Sequence, residues 1–232
     1  MSRQIKGLLY FYTIDAIRSI LIFWIILLST LSISVLIAYF IDDPEIVMYF
    51  VLSFPAYIFC GIFGFLMVKQ SIPFAIKMGV TRKSLFISSG IFILLLSVMK
   101  AVLTSSLHGL SIYIQNRFSI QSVDFAHPAV MLADTWINRF IIDLACMLFI
   151  FTLLYVFGLV FYRFGLIGGG SLLSIILIAF LYSFAKGWVA DYIMTQYSTL
   201  TVLYFFQIVG VAIIIYGLSW VFVRNITIVK VV

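Results

Sequence analysis

Long uninterrupted runs of apolar residues dominate the hydrophobic pattern of this chain. Six runs are long enough to cross about 30 Å of hydrocarbon as helices, and they cover residues 19–40, 46–68, 84–107, 137–161, 166–184 and 200–223. Apolar residues are continuous within them and do not alternate with polar ones, as they do in the strands of a membrane barrel. The pattern therefore predicts an all-α integral membrane protein, with six transmembrane helices that form a single domain over residues 1–232.

A shorter amphipathic segment precedes the first apolar run. Apolar side chains recur there at helical spacing among charged ones, at Ile5, Leu8, Leu9, Tyr12 and Ala16. Such a stripe is typical of a helix that lies flat at the membrane interface. We expect an interfacial helix over residues 4–18, and the alternative is a disordered basic tail.

The composition of the chain is far from that of soluble proteins. Hydrophobic residues make up 65% of it and charged residues 9%, whereas about 25% of residues are charged in soluble domains. The predicted spans leave only short connections and an outer loop over residues 108–136. Soluble chemistry therefore has to come from a partner protein.

The net charge of +6 is explained by membrane topology and not by a nucleic-acid partner. If the N-terminus is cytoplasmic, ten of the 14 lysine and arginine residues fall on the cytoplasmic side: Arg3, Lys6, Arg18, Lys69, Lys77, Arg82, Lys83, Arg163, Arg224 and Lys230. This excess predicts a multi-pass protein with both termini in the cytoplasm. The expected surroundings are the lipid bilayer, and no nucleic acid is expected to bind.

Three acidic residues close the first predicted hairpin on the outer side. Asp42, Asp43 and Glu45 flank a proline that turns the chain. Solvated loop charge is the default interpretation of these residues. The alternative is an acidic outer mouth that favours the exit of a cationic molecule.

Two ionisable residues lie well inside predicted spans, both about 10 Å below the outer boundary. An unpaired charge at this depth is costly. We therefore predict that Lys100 and Asp143 pair, and that Arg139, one turn above Asp143, can share its carboxylate. The pair either holds spans 3 and 4 together or provides a polar lining for a transport path.

Sequence features of an enzyme are absent from the chain. Glu45 is its only glutamate, which excludes a protease with two intramembrane glutamates, and no Gly-Lys dipeptide occurs, which excludes a Walker A phosphate loop. His108 and His127 fall in the predicted outer loop and are interpreted as ordinary loop residues. Cys60 and Cys146 each lie alone in apolar runs and are interpreted as packing residues. We predict no metal site and no cofactor in this chain.

The connection between spans 2 and 3 carries the one family resemblance. Its last residues read Gly79, Val80, Thr81, Arg82, Lys83, Ser84, Leu85 and Phe86. This turn, together with the basic interfacial segment and six spans with both ends inside, resembles the permease subunit of ABC-2 type exporters of bacteria. In that family a turn of the form G-x-[ST]-R-[KR]-x-x-[FL] commonly opens the third span.

The resemblance implies a short coupling helix that docks on a cytoplasmic ATPase. A helix over residues 72–78 agrees with the local sequence, because proline suits the first turn of a helix and glycine its end, and Thr81 or Ser84 can cap the next helix. The residues expected to carry the coupling are Pro73, Phe74, Lys77, Met78, Gly79 and Arg82. ATP and magnesium belong to the ATPase in this interpretation.

The resemblance therefore implies an exporter subunit of the bacterial cell membrane. We expect it to dimerise with itself or with a similar permease subunit, to bind ATPase subunits, and to move an amphipathic or antimicrobial or cytolytic peptide out of the cell. Export of a lipid or a drug is one alternative. The others are a non-transporting immunity or sensor subunit and a secondary carrier.

Overall fold

The structure is a computed structural model that describes residues 2–41, 47–120, 122–199 and 201–224. These residues form six α-helices: α1 (Ser2–Ile41), α2 (Ser53–Lys77), α3 (Arg82–Arg117), α4 (Trp136–Ala185), α5 (Trp188–Thr199) and α6 (Val202–Arg224). Two short strands, β1 (Met48–Phe50) and β2 (Val123–Phe125), pair in parallel, and a 3-10 turn follows at Pro128–Met131. Five helices, all except α5, are long and apolar enough to cross a membrane. The helical class and the membrane-spanning character are therefore confirmed.

The first helix is continuous where the sequence predicts two elements. Its amphipathic stripe is buried, with Leu8 and Tyr12 each 2% exposed. The stripe packs against protein, since the ring of Phe11 stacks on that of Phe74 in α2 with centroids 3.9 Å apart. The prediction of a separate interfacial helix over residues 4–18 is wrong, because the apolar stripe finds its partner in the bundle and does not need a membrane surface.

Helices α1 and α3 run side by side in the same direction. The Ser84 hydroxyl of α3 donates to the Gln4 side chain of α1 at one end (3.0 Å), and Ala38 of α1 packs in an apolar cluster with Ile120 at the other. At 1.5 Å per residue the helices are about 60 and 54 Å long, so both extend well beyond the hydrocarbon thickness.

The boundaries of two elements in the structure differ from the predicted ones. Helix α3 continues to Arg117, so the predicted outer loop over residues 108–136 is helical in its first third. The predicted span over residues 46–68 begins only at Ser53, because β1 occupies its first residues. We call the end of the bundle that carries β1, β2 and the 3-10 turn the capped end.

The opposite end of the bundle, at residues 77–83, is here called the basic end. Helix α2 runs without interruption to Lys77 with Pro73 inside it, so the predicted separate coupling helix over residues 72–78 is wrong. The stop at Gly79 is confirmed by its left-handed φ of 68°. The predicted cap of α3 is confirmed at Thr81, whose side chain accepts from the backbone N–H of Ser84 at 3.2 Å.

Helix α4 contains one sharp break. At Gly165 φ is 69° and ψ is −170°, a conformation that glycine adopts without strain. The break divides α4 into two arms, residues 136–164 and 166–185, at the position where the sequence predicts a turn between two spans. The first arm packs in the core, whereas residues 171–182 of the second arm are exposed on every side.

Helices α2 and α4 pack backbone to backbone. A Cβ atom added to Gly64 of α2 would lie 2.6 Å from the carbonyl oxygen of Phe151, and one added to Gly158 of α4 would lie 2.9 Å from that of Phe65. A backbone oxygen cannot turn aside as a flexible side chain can. The two glycines therefore set the distance between the helices.

We expect Gly158→Val to lower the free energy of unfolding by about 1–3 kcal/mol, because the added atoms push α2 and α4 apart. Unfolding of the purified protein in detergent, followed by circular dichroism, measures this loss. Gly170→Val is the matched control, since nothing lies within 4 Å of its added Cβ atom. Equal stability of the two variants would show that the close approach contributes nothing.

Candidate functional site

A stripe of buried polar side chains runs along one face of α3. Such groups are costly in an apolar interior unless they are paired, and most of them lie three or four positions apart, which places them on the face that packs against the core. The stripe consists of Ser84, Ser88, Ser89, Ser97, Lys100, Thr104, Ser105, His108 and Ser111. Its half toward the capped end contains the ionisable residues and is the candidate site.

Asp143 of α4 is the centre of this half. Its carboxylate is fully buried and accepts a hydrogen bond from the Tyr57 hydroxyl of α2 at 2.6 Å. The Ser105 hydroxyl of α3 lies 3.3 Å from the other oxygen, and Nε2 of His127 lies 3.1 Å from the first. One carboxylate thus connects α2, α3 and α4 with His127, which precedes the 3-10 turn at the capped end.

The hydrogen bonds of His127 identify its tautomer. Its Nδ1 accepts from the backbone N–H of Ala129 at 3.0 Å, which caps the 3-10 turn. A nitrogen that accepts carries no proton, so the ring is neutral and its proton is on Nε2, which donates to Asp143. Asp143 therefore has three neutral donors, and within the described part of the chain no lysine or arginine nitrogen pairs with it.

The interpretation of the two histidines as ordinary loop residues is wrong. His108 belongs to α3 and is fully buried, and His127 is 5% exposed. Their rings contact each other with centroids 5.2 Å apart. Among the residues that the structure describes, neither ring nitrogen of His108 has a hydrogen-bond partner. A buried imidazole without partners is unusual and requires an explanation.

Arg139 does not share the carboxylate of Asp143. It forms a two-pronged ion pair with Asp134, in which Nε and Nη2 each donate to a different carboxylate oxygen at 2.5 Å. These hydrogen bonds lower the pKa of Asp134 below its ordinary value. The Asp134 side chain is 32% exposed and that of Arg139 is 8% exposed, so the pair lies between the buried cluster and the surface.

Lys100 does not pair with Asp143 either, which corrects the predicted ion pair. Its Nζ lies 3.7 Å from the ring centroid of Phe23 in α1 and 3.6 Å from that of Phe59 in α2, with Trp24 further away. The residue is fully buried, and its ammonium has no hydrogen-bond partner in the described residues. The faces of aromatic rings therefore take the place of the expected carboxylate.

The residues expected to carry coupling all lie near the basic end. Met78 is 66% exposed, and Phe74, whose ring stacks on that of Phe11, is 36% exposed. Lys77 and Gly79 are exposed, and Pro73 and Arg82 are half-buried. The predicted outer acids Asp42, Asp43 and Glu45 lie outside the described residues.

The described residues contain no group of three His, Cys, Asp or Glu side chains that could hold a metal. Both cysteines are free thiols; Cys60 is fully buried and Cys146 is partly buried. The side chains gathered at the site can transfer protons, form hydrogen bonds and bind a cation on aromatic rings.

The sequence contained one indication of this site that the span boundaries obscured. The run Ser97, Lys100, Thr104, His108 and Ser111 has helical spacing across residue 108, where the loop was predicted to begin.

Comparisons with models of known protein families, with curated proteins and with solved structures found no match.

Proposed function

We propose that this chain is the membrane-spanning permease subunit of an ATP-driven exporter of the ABC-2 type in a bacterial cell membrane. It crosses the membrane six times, because the two arms of α4 count separately, and its basic end faces the cytoplasm. A separate ATPase binds ATP and magnesium. A second permease subunit, identical or similar, completes the path, and the cargo is an amphipathic or antimicrobial or cytolytic peptide.

The observation that carries this proposal is the construction of the basic end. Two helices meet there in a tight turn that presents exposed apolar and cationic side chains, Met78, Lys77 and Lys83. The turn is well defined, because Gly79 ends one helix and Thr81 caps the next. A fixed, amphipathic projection of this kind suits a surface that another protein grips.

The contacts around this turn also support a mechanical role. Phe74 stacks on Phe11 of α1, and the Ser84 hydroxyl of α3 donates to Gln4 of α1. Displacement of the turn by an ATPase therefore moves the ends of α1, α2 and α3 together. Packed helices have discrete arrangements, which is how a small shift at one end becomes a change of state.

Co-purification tests the proposal. The full chain carries an affinity tag and is purified from membranes of its source, and the preparation is tested for a bound ATPase. We expect replacement of Phe74, Met78 and Arg82 by alanine to remove at least nine-tenths of the bound ATPase. Because Phe74 also packs inside the bundle, the exposed pair Lys77→Ala and Met78→Ala is tested separately.

The matched control changes the same residue types at the capped end, with Arg117, Phe118 and Met131 replaced by alanine. This variant is expected to retain the ATPase. Equal retention by both variants, or no ATPase bound to the unchanged chain, contradicts the proposal and favours a non-transporting subunit or a secondary carrier. The cargo is tested by measuring ATP hydrolysis of the complex in the presence of cationic peptides, lipids or drugs. Stimulation by the peptides and not by the lipids or drugs supports a peptide cargo.

A further inference from the structure

We propose that Asp143 and His108 form a proton-binding site that exchanges protons with the aqueous phase at the capped end. The proposal concerns the opposite end of the bundle from the basic end and does not depend on an ATPase. Ionisable residues inside a membrane bundle commonly mark proton relays. The buried carboxylate, its neutral partners and the unsatisfied imidazole beside it together point to this use.

Asp143 is ready to accept a proton on one of its two oxygens. Its Oδ1 receives the short hydrogen bond from Tyr57 and the one from His127. Among the described residues, the one contact of its Oδ2 is the longer one with the Ser105 hydroxyl at 3.3 Å. A proton therefore binds at Oδ2, and the Ser105 hydroxyl turns to accept a hydrogen bond from the new O–H group.

His127 cannot deliver this proton in the observed arrangement. Its Nδ1 already accepts from the backbone N–H of Ala129. Transfer of its Nε2 proton to Asp143 would leave a ring without any proton, which is not stable near neutral pH. His127 therefore positions the carboxylate and fastens the 3-10 turn at the capped end, and the proton arrives along another route.

His108 provides that route. Both of its ring nitrogens are buried and have no hydrogen-bond partner within the described residues. A neutral imidazole always presents one N–H donor and one lone pair, so each of the two atoms is free to exchange a proton with a water molecule that reaches it. The ring lies in α3 one turn beyond Ser105, and the charged or titratable groups around it are Arg139, His127, Asp134 and Asp143.

The transfer has a balanced sequence of steps. A proton enters from water beside the partly exposed pair of Asp134 and Arg139 and binds the free lone pair of His108, which becomes an imidazolium. The imidazolium then releases the proton of its other nitrogen, through a bound water, to Oδ2 of Asp143. His108 is neutral again with its proton on the opposite nitrogen, and Asp143 has become a carboxylic acid.

The other groups that face this carboxyl remain in place during the transfer. Tyr57 approaches from α2 and keeps its hydrogen bond to Oδ1, whereas Ser105 of α3 stays in contact by accepting from the new O–H group. His127 keeps its contact from the capped end. Proton binding thus neutralises the Asp143 carboxylate, which connects α2, α3 and α4. The step involves no residue of the basic end.

Time-resolved infrared spectroscopy of the purified full chain in detergent tests the proposal. The sample is jumped from about pH 8 to a series of final values down to about pH 4, and the carbonyl band of a buried carboxylic acid is recorded. We expect the band in the unchanged chain and its loss in Asp143→Asn. In Asp143→Glu the band shifts in frequency, which keeps the test valid if the Asn variant folds poorly.

The rate of appearance of the band distinguishes the roles of the two histidines. We expect His108→Gln to slow it at least tenfold and His127→Gln, whose amide can still donate to Asp143, to change it less than threefold. Absence of the band in the unchanged chain, its persistence in Asp143→Asn, or an unchanged rate in His108→Gln overturns the proposal. Since no ATPase is present, these outcomes are independent of the export proposal.

Discussion

Replacing Asp143 with leucine lowers the free energy of unfolding by roughly 2–4 kcal/mol, because three buried donors lose the acceptor that they share. Those donors are Tyr57, Ser105 and His127, which come from two other helices and the capped end. A buried donor without an acceptor costs the chain its full desolvation penalty, and this penalty exceeds the modest net value of hydrogen bonds between membrane helices.

Chemical unfolding of the purified protein in mixed micelles measures this loss. Asp143→Asn is the matched control, since an amide oxygen still accepts from Tyr57 and His127, and we expect it to cost less than half as much. A leucine variant as stable as the asparagine variant would mean that the three donors find other partners.

The second large effect concerns the ammonium of Lys100. Its favourable contacts are with aromatic faces. We therefore expect Phe59→Leu to lower the free energy of unfolding by about 2–3 kcal/mol, because the variant loses a desolvated cation–π contact and some packing. In the Lys100→Met background the same change should cost about 1 kcal/mol, because the cation is gone. Lys100→Met alone should leave the stability equal or raise it, since a buried charge is replaced by an apolar side chain.

A double-mutant cycle of these variants isolates the interaction energy. The four proteins are unfolded under the same detergent conditions. An equal cost of Phe59→Leu in both backgrounds would show that the ring contributes only packing. Strong destabilisation by Lys100→Met would show that the ammonium has a partner other than the rings.

The hydrophobic pattern predicted the helices well and their ends poorly. Span length alone places a boundary where the hydrocarbon ends, but α3 continues to Arg117 because Ala38 of α1 and Ile120 enclose an apolar cluster beyond that boundary. Pro73 suits a helix start by its sequence context. It lies inside α2 because Ile72 and Ala75, each 1% exposed, hold this last segment against the bundle.

The candidate site could be predicted only in part. The cost of an intramembrane charge correctly identified Lys100 and Asp143 as residues that need partners. It could not identify those partners, because aromatic rings, hydroxyls and imidazoles can also accompany a buried charge. His127 illustrates the difficulty, since it lies 16 residues before Asp143 in the predicted outer loop, and the sequence gives no sign that this loop turns back to the carboxylate.

The isolation of the second arm of α4 has a further consequence. Residues 171–182 are all exposed, and their described ring contacts, such as that between Tyr182 and Trp188, are local ones. The arm is connected to the rest of the chain through the break at Gly165 at one end and through α5 at the other. If the arm crosses a bilayer, we expect its tilt to follow the thickness of that bilayer, with a thicker one holding the arm more upright.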